Sequence, residues 1–132
     1  MSAVAIMRAL LVADSDVTAL VPAARIVAGD VPEGTLPAIG LREISGIEQD
    51  TVARAGNSLV TARVQVTVYA ASYPQQKAVL KAAKLGAGTF TGDIAGYAVR
   101  SVLRESVGPD MGDPAAGTHE QSRDFKVTFI EP

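Results

Sequence analysis

Residues Ala62–Lys84 read ARVQVTVYAASYPQQKAVLKAAK, and this stretch decides the fold. Its first half alternates: Ala62, Val64, Val66 and Val68 fall on one side of an extended chain, and Arg63, Gln65, Thr67 and Tyr69 on the other. Clean alternation of this kind predicts an antiparallel strand, over Ser58–Ala71, with one packed face and one face that is wet or partnered. At Ser72 the period changes. Ser72 suits an N-cap, Pro74 is tolerated in a first helical turn, and Gln75 completes a capping-box pattern. Val79, Leu80, Ala83 and Leu85 then line a buried side and Gly86 ends the helix, which leaves Lys77, Lys81 and Lys84 on a solvated flank.

Working outward on the N-terminal side, Ile6, Leu10 and the series Ala3, Met7 and Leu11 recur at helical spacing and predict a helix over Ala3–Ala13. Asp14 or Asp16 can cap a short turn, Val17–Leu20, which Pro22 closes. ARIVAG (Ala24–Gly29) reads as a brief strand and DVPEGTLP as loop chemistry. Ala38–Ser45 reads as a half-buried strand with Ile39 and Leu41 on one side and Arg42 on the other. Asp50–Asn57 is polar and holds a Gly-Asn turn signal.

On the C-terminal side, GAGTFTGDIAG is a glycine-rich link into a strand over Tyr97–Glu105. The next stretch, VGPDMGDPAAGTHEQS (Val107–Ser122), carries three Gly and two Pro and reads as a long loop, mobile in an isolated subunit. A last strand over Arg123–Ile130 turns Phe125, Val127 and Phe129 inward and Asp124, Lys126 and Thr128 outward. The expected class is α+β: an antiparallel sheet of about four strands, flanked by two main helices, with a long loop before the last strand.

The totals bound the function. At 132 residues the chain is expected to form one domain with an adequate core. It has no cysteine, which removes disulfides, thiolate metal sites and thiol nucleophiles together. Twelve basic against 14 acidic residues give a formal charge of −2, which offers no electrostatic footprint for nucleic acid or an anionic membrane. The opening MSAVAIMRALLVADSD places Arg8 inside its apolar run, which stops at Asp14, so it reads as a first helix and not as a leader or membrane span.

A search for chemistry returns little. Gly86, Gly88 and Gly92 follow a helix and precede a strand, the reverse of a phosphate-cradling loop. Gly56-Asn57-Ser58 resembles the start of a nucleophile elbow, but turn leads into strand, and the single histidine, His119, lies on a loop with no oxyanion site in view. Asp110, Asp113, Glu120 and Asp124 do not follow calcium-loop spacing. No aromatic set interleaves with Arg63, Arg100, Arg104 and Lys126 as a nucleic-acid platform would require. The expectation is a non-enzyme without catalytic residues, metal or cofactor.

Taken in order, LLVADSDVTALVPAARI, LPAIGLREISG, RVQVTVYA and the closing HEQSRDFKV resemble the tail completion (tail terminator) family of long-tailed bacteriophages and phage-like gene transfer particles. The resemblance spans nearly the whole chain, as one tail-terminator-like domain over residues 1–132, and implies a fold similar to that of the lambda tail terminator. It implies a structural virion protein, a homo-oligomer in a ring of six copies on the head-proximal end of the tail tube. Such a ring stops tube polymerisation and offers a joining surface to head–tail connector or neck proteins, after assembly in the bacterial host cytoplasm. A ring closes through heterologous contacts, one patch meeting a different patch on the next copy. Candidates for subunit or partner contact are Arg63, Gln65, Thr67, Arg100 and Arg104 on the sheet, and Asp110, Met111 and Asp113 in the stretch before the last strand. The alternatives are another neck component (a head-completion or stopper protein) and a small-ligand-binding domain.

Overall fold

The computed structural model describes residues 2–29, 31, 34–49, 58–86 and 88–132. Helix α1 (Ser2–Ala13) buries Ala3, Val4, Ile6, Met7, Leu10 and Leu11, the stripe its periodicity predicts. Asp14 then caps the one-turn helix α2 (Ser15–Thr18) by accepting from the backbone N–H groups of Asp16 and Val17. A 3₁₀ turn, Ala23–Arg25, leads into strand β1 (Ile26–Ala28). The long strands β2 (Ala38–Gln49) and β3 (Ser58–Ala70) follow. The polar stretch between them, residues 50–57, lies outside the described residues, and with it Gly56 and Asn57 of the elbow-like turn; Ser58 opens β3.

Helix α3 (Tyr73–Ala82) begins as the sequence requires. Ser72 Oγ accepts from the Gln75 N–H, while Gln75 Oε1 accepts from the Ala71 N–H. The rest of the chain forms β4 (Gly92–Ile94), β5 (Tyr97–Val107), β6 (Met111–Asp113) and β7 (Thr118–Glu131). All strands join one sheet in the order β1-β2-β3-β7-β5-β4, with β6 paired to β7 beyond the end of β5. β1 runs parallel to β2, and every other pairing is antiparallel.

The expected architecture is therefore corrected. This is not an antiparallel sheet of about four strands between two main helices but a strongly curled, half-barrel sheet of mixed sense, with seven strands among the described residues. The curl has a local cause. Strands of 12, 13 and 14 residues accumulate twist, and β-bulges at Glu43/Ser45, Val99/Ser101 and Arg104/Val107 bend the sheet on both sides of its β3–β7 centre. One face packs on α1 and α3 through Val60, Ala62, Val64, Val66, Val68, Phe125, Val127 and Phe129, all buried. Tyr97 closes that core edge-on against Phe129, at 5.8 Å between ring centroids.

The long loop is the second correction. β7 starts five residues before the expected Arg123, because His119–Ser122 already pairs with β3 and Thr118–Glu120 with β6. Only residues 108–110 break the line between β5 and β6, and even there the Gly108 N–H donates to the Ser122 carbonyl at 2.8 Å. The Gly and Pro residues that suggested a loop build a tight hairpin instead. Gly112 has φ +141°, and a Cβ on it would press into the Thr118 carbonyl oxygen and stand 3.0 Å from His119 Cα. Gly112→Ala should thus lower stability by about 1–3 kcal/mol from backbone strain alone. Gly117→Asn, at φ +72° with open space around it, should change the melting temperature little. Equal losses from the two would contradict this account of the hairpin.

Candidate functional site

The face of the sheet turned away from the helices is built by the alternation that opened the sequence. Thr61, Arg63, Gln65, Thr67 and Tyr69 of β3 lie opposite Thr128, Lys126, Asp124, Ser122 and Glu120 of β7. The rows are cross-linked. Thr61 and Thr128 hydroxyls are 3.1 Å apart, and Gln65 Nε2 donates to Ser122 Oγ at 3.4 Å. Arg63 places Nε and a terminal nitrogen on Asp124 Oδ2, at 2.8 and 2.6 Å, and also donates to Ser106 Oγ of β5. Lys126 stands 3.3 Å from Glu105. The face is thus rich in charge yet largely neutralised within itself, which stiffens the sheet and leaves no field to attract a polyanion.

Gly40 lets the chain fold closely over one end of this face. A Cβ there would meet Val31 Cγ2 at 3.1 Å and the Gly29 carbonyl at 3.2 Å. Beside it Arg42, Gln65, Thr67, Tyr69, Met111 and Glu120 border an open depression of about 210 Å³, below the roughly 300–1,000 Å³ of ordinary small-ligand sites. Apolar side chains stand exposed at both lateral margins: Ile44 and Ile47 on β2, Leu103 and Val107 on β5, Met111 on β6. Ile47 is 68% and Met111 61% accessible, values that suit contact with another protein surface better than water.

The sequence candidates do not form one patch. Arg63, Gln65 and Thr67 share the polar face, and Met111 borders its depression. Arg100 sits exposed in the β5 bulge. Arg104 lies opposite Phe125 on the helix side, where it donates to the Gly86 carbonyl, so the thickness of the sheet separates it from Arg63. Asp113 is spent on its own turn, accepting from the Ala115 N–H. Among the described residues no three acidic or histidine side chains converge as a metal site would require.

Asp110 belongs to a polar junction that sequence reading missed. It accepts from Tyr73 Oη at 3.0 Å, Gln76 Nε2 at 2.9 Å and Lys77 Nζ at 2.7 Å. Gln76 and Lys77 also donate to Gln121 Oε1, while Gln121 Nε2 donates to the Gly108 carbonyl. The β5–β6 break is so bolted to the first turns of α3. Lys77 holds the Asp110 carboxyl below the usual carboxylate range, and Asp110 raises the Lys77 ammonium in return. The pair therefore favours the folded state between those ranges. Its contribution fades as pH falls through the lowered carboxyl value or climbs through the raised ammonium value. The one available signal was Gln76, an amide on the packed side of a helix, which is fully buried and so needs partners.

No described helix is long and apolar enough to cross a membrane. No curated protein matches the sequence. In fold, the chain is similar to a protein chain of the virion of a native gene transfer agent particle, with a TM-score of 0.63 and 15% identity over 96% of this chain and 93% of that one. The family model for tail completion protein gp17 matches residues 5–85, from α1 through the end of α3, which is more than half of the 132 residues. The chain belongs to the phage tail completion protein gp17 family.

Proposed function

We propose that this tail structural protein closes the head-proximal end of the phage tail tube as a ring of copies, six in the favoured arrangement. There it halts tube polymerisation and presents the surface to which head–tail connector or neck proteins join. Membership of the tail completion family carries the reading. The surface supports it: a stiff, internally neutralised sheet face with exposed apolar margins suits repeated protein contacts. The subunit contacts are mixed polar and apolar, so the free chain is expected to be monomeric or weakly associated and to assemble on the tube, in the host cytoplasm, before the virion is complete.

Electron microscopy of particles made without the protein tests this. Tails of uncontrolled length that lack heads are the expected result. Tails of normal length joined to heads would overturn it.

A further inference from the structure

On the helix side of the sheet two arginines stand together without an anionic partner among the described residues. Arg104 of β5 faces Phe125, and Arg123 lies two residues along β7 on the same side. Among the described residues Arg104 donates only to the Gly86 carbonyl, and Arg123 Nε is buried with no hydrogen-bond partner. Burial, with the neighbouring Arg104 charge, pushes the Arg123 guanidinium down from its ordinary value. Two cations held together and partly desolvated call for a carboxylate. Across the sheet, β2 offers two on the same side. Glu43 and Glu48 lie opposite Val64 and Val60, are exposed, and form no ion pair among the described residues.

The pairing register relates the two groups. Glu43, Val64, Phe125 and Arg104 form one cross-strand row, with the acid at one end and the base at the other. Four strands spaced about 4.8 Å apart keep them from meeting within one chain. We infer that Arg104, with Arg123 behind it, receives Glu43 of the next copy of this chain, with Glu48 flanking, in a head-to-tail contact repeated at every joint of the ring. β4 pairs with Tyr97–Val99 and the Thr89 hydroxyl accepts from the Val102 N–H, so the outer edge of β5 is covered only up to Val102, and the contact is placed beyond it, between side chains.

This inference rests on the ring reading, and its test separates the two. Wild type, Glu43→Arg, Arg104→Glu and the double variant are each added to tail tubes at low salt, and ring-capped ends are counted by electron microscopy. Both positions are exposed, so circular dichroism should show all four folded. Each single reversal should cut capped ends about tenfold, and the double variant, with the charges exchanged, should restore them. Single reversals that cap like wild type, or a double variant no better than the singles, would overturn this contact and leave the ring standing. Wild-type protein that forms no rings on tubes would overturn the ring reading and this contact together.

Discussion

Val64→Asp should abolish folding, leaving the protein insoluble or without a cooperative melting transition. Val64 is fully buried in the middle of β3, opposite Phe125 on one side and Glu43 on the other. A carboxyl there finds no donor on either neighbouring strand of its row, since Arg104 lies a strand further off beyond Phe125, and the nearest charge, Glu43, has the same sign. Burying an unpaired polar group in such surroundings costs about 5 kcal/mol, and an ionised one more, against a total stability of roughly 5–15 kcal/mol for a domain of this size. The choice of position matters. Val66, one alternation further on, faces Arg123, whose unpartnered Nε could receive a new carboxylate and mask the penalty. Thr67→Asp is the matched control. It lies on the opposite face beside Ser122 and Gly40, where a carboxylate keeps access to water, so the melting temperature should fall by only a few degrees. Comparable loss of soluble protein from Val64→Asp and Thr67→Asp would mean that the two faces of β3 do not differ as described.

That contrast was legible in the sequence because β3 and the last half of β7 are governed by one local rule, alternation against a single core. The α1 stripe and the Ser72–Gln75 cap were legible for the same reason: residues within four positions of one another decide them. What was not legible depends on partners far along the chain. Gly and Pro between Val107 and Ser122 are locally indistinguishable from loop residues. Only the pairing of His119–Ser122 with β3, some fifty residues away, makes them a hairpin. Strand number failed similarly: ARIVAG was readable as β1, but the three-residue strands β4 and β6 carry too few side chains to show a period. For the candidate surface, alternation placed Arg63, Gln65 and Thr67 together. It could not place Arg104, because the bulge at Val99/Ser101 resets which side each later β5 residue faces.

The reclassified hairpin reverses what a long loop would lead one to expect of its removal. Replacing Gly108–Thr118 by a two-residue Gly-Asn turn should destabilise the subunit by roughly 2–6 kcal/mol, because two buried or half-buried side-chain amides each lose one acceptor, at about 1–3 kcal/mol each. Gln76 Nε2 loses Asp110 Oδ1, and Gln121 Nε2 loses the Gly108 carbonyl. Geometry adds to this. Val107 stands beside Arg123, four residues along β7 from His119, a distance of about 13 Å at some 3.3 Å per residue. A two-residue bridge supplies three Cα steps, about 10–11 Å when fully extended, so closing it must peel His119 and its neighbours away from β3. The gain from a shorter loop is small, under about 1 kcal/mol, and does not offset these losses. The melting temperature should therefore drop by roughly 10–20 °C. Asp110→Asn, which keeps the chain length and one acceptor oxygen for Gln76 and Lys77, should lower it by much less. Thermal melts of the two variants beside wild type decide the matter. An excised protein that melts like the wild type would mean that the junction between α3 and the β5–β6 break holds nothing in place.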